Sequence, residues 1–183
     1  MRKLFCVLRD QHGGAAIAAG VLLAALVAGH PPAAATPAAD ADRLNDLAQL
    51  LVGQWKCRGQ FANGKAITSS ESFAPLFGGR WLLERHQDEP PFNYEAHALW
   101  GFDPRTAVFT LSIYDNFGGQ RLFTSHGWQQ GALTFEARPL LSPPAHQERF
   151  IYKSAGAGYS VEYQILDHTG SWKQGDALEC RRG

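Results

Sequence analysis

No surplus of charge of either sign marks this chain: 17 lysines and arginines stand against 17 aspartates and glutamates. A nucleic-acid-binding domain carries a basic surplus, so the composition gives no reason to expect nucleic acid as a partner. Long apolar runs are missing too. The Ala15 to Ala28 stretch has 14 residues, short of the roughly 20 that a spanning helix needs, so no permanent membrane anchor is expected. Absent as well are His-x-His and His-Glu-x-x-His clusters, Cys-x-x-Cys pairs and a Gly-x-Ser-x-Gly elbow. Those absences remove the usual zinc, redox and serine-nucleophile readings, and neither catalytic residues nor a metal site are assigned. Cysteine is scarce, at three residues, and after residue 53 no helical period of useful length recurs.

What is present begins with a leader. Arg2, Lys3 and Arg9 form a basic head, the apolar stretch follows, and a Pro/Ala-rich tail runs from His30 to Ala41. That order predicts a secretory signal peptide over residues 1–35, with cleavage after Ala35 or at a neighbouring alanine. Cys6 precedes the apolar stretch, where a lipoprotein cysteine would follow it, so a lipid anchor is not expected. Removing the leader leaves 14 basic against 16 acidic residues and an exported, secreted or periplasmic, protein. Residues 36–43 then read as a linker and residues 44–183 as one domain.

Cys57 and Cys180 are the cysteines left in the mature chain, and an even pair in an oxidising compartment predicts a disulfide; two buried free thiols are the alternative. Five Trp, five Tyr and eleven Phe are ample to fill an all-β core.

The segment Asp40 to Leu51 places Leu44, Leu47, Leu50 and Leu51 at helical spacing behind an aspartate cap, which predicts one short amphipathic helix. Ten strand-like segments follow, at 53–61, 66–74, 80–88, 94–102, 107–114, 120–129, 132–138, 147–154, 159–166 and 172–182. Asn63-Gly64, Gly78-Gly79, Pro90-Pro91, Asp103-Pro104, Gly118-Gly119 and similar turn chemistry separate them. No link is long enough for a crossover helix, so the strands form an antiparallel meander. A bond between Cys57 in the first strand and Cys180 in the last makes those strands neighbours, closing a ten-stranded up-and-down barrel. Pairing Cys57 with Cys180 also sets Trp55 opposite Arg182 on the same face, a cation–π stack at the barrel floor.

Gly53-Gln54-Trp55 after a short helix, with a basic residue in the last strand, resembles the Gly-x-Trp signature of the lipocalin and wider calycin superfamily. Leu76-Phe77-Gly78-Gly79-Arg80-Trp81-Leu82 and Leu99-Trp100-Gly101-Phe102-Asp103-Pro104-Arg105-Thr106 are similar to segments of a bacterial lipocalin-like family of unknown function. The resemblance spans about residues 44–183 and implies a calycin-like barrel with an apolar interior cavity. A second likeness is to nitrobindin-like haem barrels, where His97-Ala98-Leu99-Trp100-Gly101-Phe102 resembles a His-x-Glu-x-Gly-Tyr segment. It implies haem as an alternative ligand. Leu99 replaces that segment's Glu, the Pro-Thr-Ile stretch is missing, and His168 is the nearest match to the proximal haem histidine.

Cavity residues follow from alternation. Phe109, Leu111 and Ile113 form an apolar face, and pairing Phe102 with Val108 sets His97 opposite Ile113 and Leu99 opposite Leu111, with Asp115 at the rim. A one-residue slip would put Trp100 inside instead. Tyr159, Val161, Tyr163 and Ile165 form another inward row, and Trp81 rather than Leu82 is taken as the inward residue of its strand. Glu84, Glu95, Glu136 and Glu162 read as outer-face charges, and His86, His126, His146 and His168 as surface residues. The expected cavity set is therefore His97, Leu99, Phe109, Leu111, Ile113, Asp115, Trp81 and Tyr163, with Gly53, Trp55 and Arg182 structural. Its partner is a small apolar or amphipathic molecule. Two other classes use the same fold: an enzyme with His97 as base and Asp115 orienting it, and a structural module whose interior is packed solid.

Overall fold

The computed structural model describes residues 37–138 and 147–183; the expected leader with its expected cleavage site, Cys6 and His146 lie outside them. Helix α1 (Pro37–Leu51) begins three residues ahead of the expected cap. Eleven strands follow it: β1 (Gly53–Phe61), β2 (Ala66–Leu76), β3 (Trp81–Asp88), β4 (Glu95–Asp103), β5 (Val108–Asp115), β6 (Gln120–Ser125), β7 (Trp128–Gln129), β8 (Ala132–Arg138), β9 (Glu148–Ala155), β10 (Gly158–Leu166) and β11 (Trp172–Arg182). Consecutive strands from β1 to β6 and from β7 to β11 pair antiparallel, β6 pairs with β8, and β1 pairs with β11. Ten strands thus close into a barrel, and the two-residue β7 hangs as a small hairpin on β8. The expected strand 120–129 is interrupted because the chain turns at Gly127, whose φ is 93° and whose N–H donates to Ser125 Oγ at 3.1 Å.

The seam has the anticipated register. Cys57 faces Cys180 and Trp55 faces Arg182, and the cysteines are joined in a disulfide with Cα atoms 4.0 Å apart. Arg182 lies over the Trp55 ring, 4.2 Å from its centroid. The same guanidinium donates to the Val52 carbonyl, which sits just past the end of α1, and to Leu50 O at 3.4 Å. Its path crosses the space that a Cβ on Gly53 would occupy. That close approach, together with a φ of 136° at Gly53, explains why glycine precedes the tryptophan by two residues.

Helix α1 closes one end of the barrel. Leu44, Leu47 and Leu51 are buried there, and the Trp55 indole N–H donates to Leu51 O at 2.6 Å. Above this floor an aromatic layer fills the barrel: Trp55 meets Tyr159 edge-on at 4.9 Å, and Trp100 meets Phe135 at 5.0 Å and Tyr152 at 5.1 Å. Phe109, Leu111, Phe123, Leu133 and Phe135 complete that packed half. At the opposite end the strand termini carrying Phe61, Asp88, Ile113, Arg121, Phe150 and Tyr163 surround an open interior.

Two orientations differ from expectation. β4 runs on through Asp103, so Phe102 pairs with Phe109 and His97 with Tyr114. The one-residue shift arises because Asp103 caps the following loop, accepting the Arg105 backbone N–H at 3.0 Å, and so belongs to the ladder rather than to the turn. His97 is consequently exposed on the outer face with Leu99, and Trp100 is the inward residue. Trp81 also points outward, with 37% of its surface exposed, while Leu82 is fully buried. Its ring covers Gly101, its cross-strand partner, where any side chain would collide with the indole.

Candidate functional site

The open half of the barrel encloses a cavity of about 390 Å³. Strand alternation decides its lining. On β2 the inward row is Ile67, Ser69, Glu71 and Phe73; on β3 it is Leu82, Glu84, His86 and Asp88. On β11, Asp176 and Leu178 face in. Apolar walls come from Phe61, Ile67, Ala98, Ile113, Phe150 and Val161. Into these walls the chain places an unusual density of ionisable groups.

His86 stands at their centre. Its Nδ1 lies 3.2 Å from Glu71 Oε1 and its Nε2 lies 2.9 Å from Asp88 Oδ1. Burial opposes charge on the ring, but the hydrogen bonds to Asp88 and Glu71 and the nearby Glu84 outweigh it and raise the pKa to about 10. His86 is therefore an imidazolium at neutral pH. The second oxygen of Glu71 accepts the Tyr159 phenol, and burial beside Glu71 holds that phenol protonated.

Glu84 is buried to 9% exposure. One of its oxygens accepts the Trp100 indole N–H at 2.6 Å. Burial raises its pKa to about 7, assisted by repulsion from Glu71 and opposed by His86 and the Trp100 bond. Asp176 is raised to about 6, first by burial and then through competing effects of His86, which lowers it, and Asp88, which raises it. Near the mouth, Arg121 donates to the Tyr94 hydroxyl at 2.6 Å and lies 3.6 Å from Glu148 and 3.9 Å from Asp115.

Of the residues expected to line the cavity, Ile113 and Tyr163 do. Phe109 and Leu111 face inward but belong to the packed half below it. Asp115 sits at the rim, binding the Gly119 N–H at 2.8 Å and flanking Arg121, without touching the cavity. His97, Leu99 and Trp81 are on the outer face, so His97 and Asp115 do not form an acid–base pair within the barrel. Two surface assignments also reverse: His86 and Glu84 are interior.

The residues that sequence reasoning missed are Glu71, Glu84, His86, Asp88, Arg121 and Asp176. A signal for Glu71 existed, because it falls in the same alternation as Ile67 and Phe73. None existed for β3, where Trp81 and Leu83 on one face compete with a lone Leu82 on the other.

Glu71, Glu84 and His86 bring donor atoms within 4.8 Å of one another. With a carboxylate against each ring nitrogen, however, the imidazolium is itself the cation of the cluster, which is an ion-pair network rather than a ligand set. Among the described residues, haem fits no better. Axial ligation needs a histidine nitrogen with a free lone pair facing the cavity, whereas His97 and His168 are exposed and both nitrogens of His86 are engaged.

The fold and site define a closed antiparallel β-barrel with a charged interior cavity, consistent with the calycin-like architecture that the Gly53–Trp55 segment implied. Residues 45–175 match the family described as "protein of unknown function (DUF1579)", and the chain belongs to that family. No curated protein matches it.

Proposed function

We propose that the protein is an exported binding barrel that holds a small amphipathic molecule in its interior. The observation that carries this reading is the cavity itself. A structural module would fill its barrel throughout, as the half beside α1 is filled, yet the other half leaves about 390 Å³ open behind aromatic walls. That volume is within the roughly 300–1,000 Å³ of small-molecule sites, and a few polar groups within apolar walls is their usual composition. The seam disulfide supports export, because such bonds persist in oxidising compartments. None of the described helices is long and apolar enough to cross a membrane.

Native mass spectrometry of the protein purified from its own host tests the reading. A retained mass below about 500 Da, the size that fills such a cavity, is the expected result. If the protein is always empty and a panel of amphipathic probes leaves its spectra unchanged, the binding role is wrong.

A further inference from the structure

The charges that line the cavity do not balance. Glu71, Glu84, Asp88 and Asp176 contribute carboxyl groups, against the cations His86 and Arg121. His86 is committed to Glu71 and Asp88 on its two nitrogens. Arg121 is shared with Asp115 and Glu148, neither of which lines the cavity, and its Nη2 is bonded to Tyr94. Glu84 has only the Trp100 indole, on one of its two oxygens. For Asp176, no hydrogen bond or ion pair engages the carboxylate among the described residues. Neither carboxyl group thus has an ion-pair partner of its own, because the His86 imidazolium that influences both is already held on each nitrogen, and in a low-dielectric barrel unpaired charge is costly.

The backbone at Asp176 is also adapted to the cavity. β11 carries an extra residue, Gly175, opposite the Tyr163–Gln164 step of β10, and the Tyr163 ring lies where a Cβ on Gly175 would stand. A bulge of this kind disrupts the ladder locally and re-aims the adjoining side chain; here the neighbour is Asp176, opposite both Tyr163 and Phe61. Phe61, Phe150, Tyr152 and Tyr163 add ring faces, which attract cations and apolar groups alike.

We propose that the head group recognised by this cavity is an organic cation, an ammonium or amidinium joined to an apolar body, received by Asp176 and Glu84. The proposal rests on the binding role above and specifies its ligand class. The cation supplies the counter-charge that the two carboxylates lack, and the aromatic walls take the body. A carboxylate ligand would meet four acidic groups, a His86 already held on both nitrogens, and an Arg121 that keeps an unpartnered Nε but already faces Asp115 and Glu148.

The test uses three probes of one shape, 2-phenylethylamine, 2-phenylethanol and phenylacetate, titrated calorimetrically into the full-length mature protein at neutral pH. The amine is expected to bind at least tenfold tighter than the alcohol, and phenylacetate more weakly than either. Asp176→Asn and Glu84→Gln should each reduce the amine's advantage, and the double variant should abolish it. Both replacements keep shape, and the amide introduced by Glu84→Gln retains an acceptor for Trp100, so near-ultraviolet circular dichroism should stay native.

The groups facing the bound cation are Glu71 on β2; Glu84, His86 and Asp88 on β3; Tyr94 before β4; Arg121 on β6; Tyr152 on β9; Tyr163 on β10; and Asp176 on β11. Of these, Glu84 and Asp176 change charge between pH 5 and 8, so amine binding should strengthen across that interval. An alcohol or carboxylate that binds as tightly as the amine overturns the cation preference and leaves the binding role intact. So does an advantage that survives both substitutions. If no probe binds, and the protein from its host is also empty, both readings fall together.

Discussion

Arg182 and Trp55 face one another across the barrel seam, with the guanidinium carbon 4.2 Å from the indole centroid and the same guanidinium on the carbonyls that end helix α1. One side chain therefore ties the last strand to both the first strand and the helix that closes the floor. Arg182→Ala should cost about 1–2 kcal/mol, the worth of a partly desolvated cation–π contact together with hydrogen bonds from a charged donor. Arg182→Lys should recover only part of it, since an ammonium cannot stack and fork at once. Urea denaturation curves read both. An alanine variant as stable as the parent would show that the helix and seam hold without the stack.

The disulfide beside that stack closes a loop spanning 123 residues. Its removal by paired Cys57→Ser and Cys180→Ser substitutions should lower stability by about 2–4 kcal/mol, because the open chain regains loop entropy and the seam loses its covalent pin. Thermal and urea unfolding check the magnitude. A loss under about 1 kcal/mol would place the strength of the seam in its hydrogen-bond ladder.

Stability should also fall as pH rises from mildly acidic values. Glu84 has a folded pKa of about 7 against an ordinary 4.5, so its penalty is absent below 4.5 and complete above 7. His86 is raised from 6.5 to about 10; its contribution is full below 6.5 and is lost as pH climbs through 10. Both act in the same direction. Unfolding free energies measured from pH 5 to 10 should decline, and Glu84→Gln should flatten the lower part of that decline. His86→Leu strands Glu71 and Asp88 without their cation and should cost about 3–5 kcal/mol at neutral pH. A pH-independent stability would contradict the charge states assigned to the cavity.

The architecture was legible in the sequence because it rests on period and punctuation. The helix leucines, turns such as Asn63-Gly64 and Gly118-Gly119 and the Cys57–Cys180 register survive in the structure, and so does the inward row Phe109, Leu111, Ile113. The cavity was less legible because parity is all or nothing. The single residue by which Asp103 extends β4 turned His97 and Leu99 outward and Trp100 inward. At β3 the indole of Trp81 needed a flat place to lie, and Gly101 offered it on the outer face; Glu84, His86 and Asp88 went inside as a consequence. Hydrophobicity alone would not have put them there, since what makes their burial tolerable is their pairing with one another and with Glu71, Tyr159 and Trp100. Those partners come from β2, β4 and β10, and only the folded sheet brings them together.

The pairing of β1 with β11 also imposes an order of events on the newborn chain. Every other barrel seam joins strands close in sequence and can form as each hairpin emerges, but β1 must wait, one edge unpaired, until β11 exists. Until then the curved sheet has no interior: Asp176 and Leu178 of the lining are themselves part of the final strand. The cavity therefore comes into being in the same step as the native cysteine pairing. A chain truncated before Trp172 would lack the wall, the bond and the Arg182 clasp at once.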